Sequence, residues 1–254
     1  MWRRGRLPSV GSMSELNAVA TAKNAVITGA SRGLGLALAR GLAAEGWSLV
    51  IDARDAGALG SAAASLPTAS RVIPVPGDIA DPVHRAALRD AAEDLGGPDL
   101  LINNAGTLGA SPLPAIADYP IAELRETFEI NVLAPLALTQ LLLPTLRARG
   151  GAVLSITSDA AVEPYAGWGG YGAAKAALEQ ASNVLAAEEN VVRVWWVDPG
   201  DMRTHMHQQA YAGEDISDRP LPDAVVPALL RLITERLPAG RYRAAELMPP
   251  GARP

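Results

Sequence analysis

Residues 25–35 read Ala-Val-Ile-Thr-Gly-Ala-Ser-Arg-Gly-Leu-Gly, a short apolar run followed directly by a turn with three glycines. The apolar run predicts a buried strand, and Leu34, Leu38 and Leu42 recur every four residues, as on one face of a helix. Glycine permits a tight turn and lets the backbone approach a ligand closely. A glycine turn between a strand and a helix is typical of a dinucleotide site, because the helix N-terminus offers free N–H groups and a positive dipole to the pyrophosphate.

The rest of the chain repeats this alternation of short apolar runs and longer helical stretches rich in alanine and leucine. Alternating strands and helices predict βαβ units, which build a parallel sheet with helices on both faces. We therefore predict a doubly wound, Rossmann-like α/β sandwich of three layers with a mainly parallel, seven-stranded sheet. Strands are predicted at 25–28, 48–52, 71–75, 99–102, 152–156, 192–197 and 243–247, and helices at 33–45, 56–65, from 81 onwards, 121–147, 171–188 and 223–236.

Several segments stand apart from this alternation. Residues 1–22 combine a basic start with an apolar stretch broken by proline, glycine and polar residues, so we predict a flexible N-terminal extension rather than a signal peptide. Residues 23–254 are predicted to form a single domain. Pro135 lies inside the predicted helix 121–147 and indicates a bend or an irregularity there. Residues 201–222 are rich in polar residues, glycine and proline, which predicts an irregular lid.

The composition restricts the classes of function. The chain has 254 residues, a net charge of −5 and no block of basic residues, which argues against a nucleic-acid partner. It contains no cysteine, which excludes disulfides, thiolate nucleophiles and cysteine-based metal sites. His205 and His207 form an H-x-H in a predicted loop with no third ligand nearby, so no metal site is predicted. No apolar run reaches the ~20 residues of a membrane span, and we expect a cytoplasmic protein without a membrane partner.

The glycine spacing T-G-x-x-x-G-x-G at residues 28–35 resembles the cofactor motif of short-chain dehydrogenases/reductases. Further motifs match: an aspartate after the third predicted strand, N-N-A-G after the fourth and P-G-x-x-x-T after the sixth. The resemblance covers about residues 24–205 and implies that a nicotinamide cofactor binds at the ends of the strands. The residues that it implies for cofactor binding are Gly29, Ser31, Arg32, Gly33, Leu34, Gly35, Arg54, Asp78, Ile79, Asn104, Ala105, Gly106, Tyr171, Lys175, Pro199, Gly200 and Thr204.

The motif Y-x-x-x-K predicts the reactive groups, because Tyr171 and Lys175 lie four residues apart and share one face of a helix. A phenol titrates near pH 10, and a nearby cation favours its ionised form and lowers its pKa. Ser158 precedes the tyrosine by thirteen residues, the spacing that the resemblance predicts, with Thr157 as the fallback. A hydroxyl at this place follows the fifth predicted strand, at the carboxyl end of the sheet, where open α/β folds bind ligands.

The family resemblance assigns a role to each of these side chains. Tyr171 protonates the carbonyl oxygen in reduction or removes the hydroxyl proton in oxidation. Ser158 hydrogen-bonds that oxygen and stabilises its developing charge. Lys175 lowers the pKa of the tyrosine and holds the nicotinamide ribose. Asn131 anchors a water molecule in the proton relay.

The tip of the second predicted strand distinguishes NADP(H) from NAD(H). An acidic residue there binds the ribose 2′-hydroxyl of NAD, whereas an arginine accommodates the 2′-phosphate of NADP. On the family pattern the acidic position is Ala53 and the arginine is Arg54, with Arg32 as a second cation. Asp52 lies one residue earlier, and a register shift of one residue would turn it toward the ribose. We favour NADP(H) as the cofactor. Two alternatives stay open: that the cofactor is NAD(H), and that Arg32 and Arg54 are only solvated surface charges.

These observations limit the substrate to a small molecule that contains a carbonyl group or a secondary alcohol. The alternative from another class of function is a non-catalytic NADP(H)-binding sensor or scaffold, which the complete catalytic set disfavours. The predicted helices 121–147 and 171–188 are unusually rich in leucine and alanine, which favours a homodimer or homotetramer. A helix that flanks a sheet needs an apolar face in any case, so the alternative that these residues only pack against the sheet stays open.

Overall fold

A computed structural model describes residues 23–68 and 70–248 of the chain. The predicted flexible extension, residues 1–22, lies outside the described residues. The described strands form one sheet in the order β3-β2-β1-β4-β5-β6-β7, and every neighbouring pair is parallel. They are β1 (Asn24–Ile27), β2 (Ser48–Ala53), β3 (Val72–Pro76), β4 (Leu100–Asn103), β5 (Ala152–Ile156), β6 (Arg193–Asp198) and β7 (Gly240–Arg243).

Helices cover both faces of the sheet, which confirms the predicted doubly wound fold. One apolar core contains Leu38 and Leu42 under the first helix and Leu229 under a later one. The core on the other face contains Leu88 and Leu138. The helices are α1 (Gly33–Ala44), α2 (Ala56–Ala64), α3 (Pro82–Asp94), α4 (Ile121–Phe128), α5 (Ala134–Arg149), α6 (Gly169–Glu188), α7 (His205–Ala210), α8 (Val226–Thr234) and α9 (Ala244–Leu247).

The strand order reverses between β1 and β4, and this reversal positions the site. Successive crossovers lead outward from β1 on one side and from β4 on the other. A crevice therefore opens at the carboxyl ends of these two strands, the usual place for a ligand in an open parallel sheet.

The last strand is shifted from its predicted position. We predicted residues 243–247, but β7 spans Gly240–Arg243, and the residues that follow form the short helix α9. Ala244 and Leu247 are both buried, and side chains three apart reach the same core from a helix. In a strand they would point to opposite faces of the sheet. Burial of both side chains in one core therefore favours a helix over a strand at these residues.

The central helix is irregular close to the predicted proline. A π-helical turn at Glu129–Leu133 joins α4 to α5, and Pro135 lies directly after it near the start of α5. By length and composition alone, the stretch Ile121–Arg149 would suffice to cross a membrane. Leu138, Leu142 and Leu146 are fully buried in the core, so packing on the sheet accounts for much of its apolar character, whereas Leu133 is exposed.

The predicted lid, residues 201–222, contains a helix as well as irregular backbone. Thr204 caps α7, because its Oγ1 accepts the His207 N–H at 3.1 Å. His205 and His207 therefore lie on a helix and not in a loop as predicted. The capping hydroxyl is the local signal that the sequence analysis missed.

Candidate active site

A cleft of about 980 Å³ runs along the carboxyl edge of the sheet, from the glycine turn after β1 to the start of α6. It is lined by every residue predicted for the site except Gly35 and Asn131. The sequence-based set therefore converges on one continuous surface. The two exceptions lie just behind it, where they shape the backbone that lines the cleft.

The glycine turn depends on glycine for two different reasons. Gly29 and Gly33 have φ angles of +67° and +57°, a region that other residues rarely adopt. Gly35 is required by space, because a Cβ there would lie 2.4 Å from the carbonyl oxygen of Gly29. Its role is thus to let α1 pack against the turn, which leaves the N-terminus of α1 facing the cleft.

The segment after β4 is held against the glycine turn by hydrogen bonds. Thr28 Oγ1 accepts the backbone N–H groups of Asn104 and Ala105, both at 3.0 Å. Asn104 Nδ2 donates in return to the carbonyl oxygens of Thr28 at 2.8 Å and Gly29 at 3.1 Å. The two loops at the reversal of strand order therefore form one rigid wall of the cleft.

Asp52 is buried beneath this wall, and both of its carboxylate oxygens have partners. Oδ1 accepts the Gly29 N–H at 2.6 Å, and Oδ2 lies 3.1 Å from His84 Nε2. The imidazole of His84 fits because Gly77 has no side chain: a Cβ there would lie 2.2 Å from His84 Nδ1. Sequence reasoning missed His84, since no local pattern links it to β2.

The end of the cleft near the glycine turn carries three arginines. Arg32 and Arg54 both line it and are exposed, as the sequence predicted. Arg40 on α1 lines the same end and is a third cation that the sequence analysis missed. None of the three forms an ion pair within the described part of the chain. This end is therefore suited to an anionic group such as a phosphate.

Tyr171 and Lys175 lie together at the opposite end, both buried at the start of α6. Lys175 Nζ lies 5.5 Å from the centre of the Tyr171 ring and donates to the Ile156 carbonyl at 2.8 Å. Burial lowers the pKa of Lys175 to about 8. The sequence thus predicted the spatial pair correctly.

In the protein without a cofactor, the pKa of Tyr171 is raised, and the lowering predicted from the sequence includes the charge of an oxidised nicotinamide. Burial raises this pKa, the carboxylates of Asp159 and Asp198 raise it further, and only the neighbouring Ser158 lowers it. Removal of the phenol from water disfavours the phenolate, and the two negative charges add repulsion. Within the protein, Tyr171 is therefore held in its protonated form.

Ser158, rather than the fallback Thr157, presents its hydroxyl to the cleft. Ser158 Oγ donates to Asp159 Oδ1 at 2.9 Å and accepts the Ala160 N–H at 3.1 Å. The Thr157 hydroxyl instead donates to Glu179 Oε1 at 2.8 Å, in the interior. The register from β5 decides between the two, because successive side chains alternate between the faces of a strand.

A charged pair that the sequence analysis did not find supports this hydroxyl from behind. Arg241 of β7 donates to both carboxylate oxygens of Glu179, at 3.0 and 3.2 Å. The same guanidinium reaches the backbone oxygen of Ser158 at 3.4 Å. The pair ties the last strand and α6 to the loop that carries the serine.

Asn131 acts on the cleft through another residue. Its Oδ1 accepts the Thr107 N–H at 2.9 Å, and its Nδ2 donates to the Thr107 carbonyl at 2.8 Å. Both polar atoms of the side chain are thus used by one backbone unit. The carboxamide holds the loop after β4 in place, and the π-helical turn directs it there.

The wall beyond Tyr171 is aromatic and acidic. The Trp168 ring centre lies 5.7 Å from that of Tyr171 and 6.2 Å from that of Tyr211. His207 continues the row, with its ring centre 4.7 Å from that of Tyr211. Asp159 lies beside this row, and its Oδ2 accepts a hydrogen bond from the Tyr165 hydroxyl at 2.9 Å.

The fold and this cleft define a dinucleotide-binding α/β protein with a buried tyrosine–lysine pair. The family model for the short chain dehydrogenase matches residues 23–215, and the chain belongs to that family. Its relatives include reductases and dehydrogenases. The chain is thus an oxidoreductase that acts on CH–OH or C=O groups.

Similarity to characterised proteins extends over most of the chain. The ketoacyl reductase HetN of Nostoc sp. is 36% identical over 171 residues, covering 66% of this chain and 58% of HetN. Bovine sepiapterin reductase is 37% identical over 199 residues, covering 73% of this chain and 74% of that protein. The structure of L-sorbose reductase from Gluconobacter frateurii with NADPH and L-sorbose has a TM-score of 0.77 at 31% identity, covering 88% of this chain and 95% of the reductase.

Proposed function

We propose that the protein is an NADP(H)-dependent oxidoreductase that interconverts a carbonyl and a secondary alcohol, with Tyr171 as general acid and base. One observation carries the proposal: Ser158, Tyr171 and Lys175 converge at one end of the cleft whose other end is the glycine turn. A dinucleotide that lies along such a cleft presents its nicotinamide to the tyrosine. When bound, this cofactor supplies or accepts the hydride.

The described residues fit an NADP(H) molecule. The glycine turn and the N-terminus of α1 are suited to the pyrophosphate. Arg32 and Arg54 would hold the 2′-phosphate, because a guanidinium binds phosphate oxygens in pairs. Asp52 is engaged with Gly29 and His84, which supports NADP(H) over NAD(H) as the preferred cofactor. The structure with NADPH named above is consistent with this preference.

The remaining residues predicted to bind the cofactor line the cleft between its two ends. Asp78 and Ile79 would contact the adenine. Pro199, Gly200 and Thr204 would contact the carboxamide of the nicotinamide. The others follow the turn or the loop after β4 and are Ser31, Gly33, Leu34, Asn104, Ala105 and Gly106.

The catalytic side chains divide the work on the substrate oxygen. Tyr171 is protonated and buried, so it donates a proton to a carbonyl oxygen in reduction and recovers one in oxidation. Ser158 donates a hydrogen bond to the same oxygen and stabilises its negative charge. Lys175 is placed to bind ribose hydroxyls and to favour the phenolate once the proton has left. Asn131 positions the adjoining loop.

The test is calorimetric titration of NADPH and NADH into the wild type and into Tyr171→Phe, with Arg54→Gln and Arg71→Gln as a matched pair. Arg71 is an exposed cation outside the cleft. We expect NADPH to bind more tightly, and loss of Arg54 to weaken NADPH alone by about tenfold or more, the range for a charged hydrogen bond. Arg71→Gln should match the wild type.

Activity against a panel of carbonyl compounds completes the test. Tyr171→Phe should bind NADPH normally and lose about 10²-fold or more of the turnover, as expected for loss of a general acid. NADPH binding with no turnover by any variant would favour the sensor or scaffold instead. Equal or tighter binding of NADH would contradict the role of Arg54, and binding of neither would overturn the whole proposal.

We also propose that residues 23–254 act as one unit, as a cytoplasmic homodimer or homotetramer. An apolar groove between α5 and α6 supports the oligomer, and its lining includes Leu136, Leu143 and Val184. Val184 is among the exposed large apolar side chains. Sedimentation equilibrium of the wild type and of Val184→Glu tests this, and an unchanged monomeric mass in both would contradict it.

A further inference from the structure

The substrate half of the cleft contains a carboxylate, Asp159, that pairs with no cation among the described residues. Asp159 accepts hydrogen bonds from the hydroxyls of Ser158 and Tyr165, at 2.9 Å each. No described lysine, arginine or histidine lies within ion-pair distance of it. Its charge acts on the whole wall, because it raises the pKa of Tyr165, Tyr171 and Tyr211.

We propose that the substrate carries a cation, an ammonium or amidinium group, close to the reacting carbonyl, and that Asp159 binds it. This inference rests on the proposed function, because it assumes that the cleft reduces a carbonyl or oxidises an alcohol. Three further features of the wall agree on a cation with hydrogen-bond donors.

The first feature is the aromatic row. Trp168 packs edge-on against Tyr171 and at a tilt against Tyr211, and all three line the cleft beside Asp159. The faces of such rings attract cations, most strongly for tryptophan. A carboxylate next to aromatic faces is therefore a surface suited to an organic ammonium group.

The second feature is an unpaired nitrogen. His207 Nε2 is buried with no hydrogen-bond partner among the described residues, and only 10% of the side chain is exposed. Asp201 Oδ1 lies 3.9 Å from the other ring nitrogen, Nδ1. A proton on Nδ1, facing that carboxylate, leaves Nε2 as an acceptor. In that tautomer the nitrogen can still accept a hydrogen bond, as from an ammonium group that reaches the aromatic row.

The third feature is distance. Asp159 Oδ1 lies 2.9 Å from Ser158 Oγ, and a carbonyl oxygen bound by that hydroxyl lies about 2.7 Å further on. A cation on the carbon next to the carbonyl spans this gap. An ammonium that donates to Asp159 also frees the Ser158 proton for the carbonyl oxygen, so recognition prepares the catalytic hydrogen bond.

Other charges around Tyr171 do not cancel this one. Asp198 adds a second negative charge, and Arg241 is paired with Glu179. Lys175 is turned to the Ile156 carbonyl. Arg219 pairs with Asp218 and Asp201 at the rim.

Three ketones of matched size test the inference: 2-amino-1-phenylethanone, 2-hydroxy-1-phenylethanone and phenylglyoxylate. The first two carry an ammonium or a hydroxyl on the carbon next to the carbonyl, and in the third a carboxylate takes the place of that carbon. Reduction with NADPH is followed at mildly acidic pH, where the amine is protonated. The variants are Asp159→Asn, which keeps the shape, and Glu163→Gln, which removes an exposed charge of the same loop outside the cleft.

We expect kcat/KM for the ammonium ketone to exceed that of the hydroxyl ketone about tenfold or more, with the carboxylate lowest, since a charged hydrogen bond has this strength. Asp159→Asn should bring the ratio of kcat/KM between the ammonium ketone and the hydroxyl ketone near one, and Glu163→Gln should leave this ratio unchanged. Equal rates, or preference for phenylglyoxylate in the wild type, would overturn the inference and leave the proposed function standing.

A binding experiment separates the two proposals if the wild type reduces none of the ketones. The matching alcohols, 2-amino-1-phenylethanol, 1-phenyl-1,2-ethanediol and mandelate, are titrated into the protein–NADP⁺ complex. Tighter binding of the amino alcohol, lost in Asp159→Asn, supports the cation site although the proposed reaction has failed. Equal binding of all three contradicts it. NADPH titration tests whether the Asp159→Asn variant is folded. If it is not folded, the comparison of the three alcohols in the wild type decides.

Discussion

Asp52 and His84 form a buried pair below the glycine turn, with Oδ2 of the aspartate 3.1 Å from Nε2 of the imidazole. The other carboxylate oxygen accepts the Gly29 N–H at 2.6 Å. A side chain of α3 thereby controls where a carboxylate of β2 points and how the turn after β1 is held. This relationship bears directly on cofactor preference.

Replacement of His84 by alanine should change that preference. Asp52 Oδ2 would lose its partner, which costs about 1–3 kcal/mol in the free energy of unfolding. The released carboxylate would turn toward the ribose and repel a 2′-phosphate, so the ratio of NADPH to NADH affinity should fall. Urea unfolding and titration of both cofactors measure these effects.

His84→Gln is the control for this prediction, because its amide nitrogen is as far from Cβ as Nε2 is. It should recover most of the NADPH preference. A loss of stability in His84→Ala with an unchanged cofactor ratio would show that the pair is only structural.

Gly35→Ala should weaken cofactor binding while most of the fold survives. The added Cβ would lie 2.4 Å from the Gly29 oxygen and 2.5 Å from Asn104 Nδ2, so the turn and the loop after β4 must separate. NADPH affinity, measured by titration, should fall about tenfold or more, as for loss of a charged hydrogen bond.

Gly60→Ala is the matched control, because Gly60 lies in α2 and a Cβ there meets open space. Alanine in a helix should raise the free energy of unfolding by about 0.4–1 kcal/mol and leave NADPH binding unchanged. Equal affinity in both variants would contradict the tight packing of α1 against the turn.

Asp159→Asn should shift the pH dependence of alcohol oxidation. The oxidation needs the Tyr171 phenolate, so its rate rises with pH as the phenol loses its proton. Asp159 raises the pKa of Tyr171 by repulsion, together with Asp198 and burial. Removal of one charge lowers this pKa, and the rising limb of the rate should move to lower pH.

The profile is recorded with a neutral alcohol so that substrate charge does not contribute. Glu163→Gln should leave the limb in place. A limb that moves to higher pH in Asp159→Asn would show that the carboxylate acts on Tyr171 in another way, for example through Ser158.

Glu179→Gln should weaken the support of the catalytic serine. Arg241 would lose its ionic partner, and the variant should be about 1–3 kcal/mol less stable to unfolding. Because the guanidinium also reaches the Ser158 backbone, kcat should fall while NADPH affinity stays constant. Thr157→Val removes the other hydrogen bond to Glu179 and should affect kcat less; the reverse order would contradict this assignment.

Local patterns determined much of this protein. The strand–glycine turn–helix unit, the parallel sheet and the pair Tyr171–Lys175 each depend on residues close in sequence, where backbone sterics and helical periodicity act directly. Only the tertiary structure decided the rest. The role of Asp52 in cofactor recognition was ambiguous from the sequence, and its contact with His84, 32 positions away, resolves where its carboxylate points. The partner of Glu179, Arg241, comes from the last strand.

The direction in which the pKa of Tyr171 is shifted was also decided by the tertiary structure, since burial and the charges around the phenol depend on how distant segments fold together. The sequence by itself thus determined the fold and many, but not all, of the residues that line the cleft. The tertiary structure decided which of their atoms are free to act, because hydrogen-bond partners and desolvation are set by packing between elements far apart in the chain.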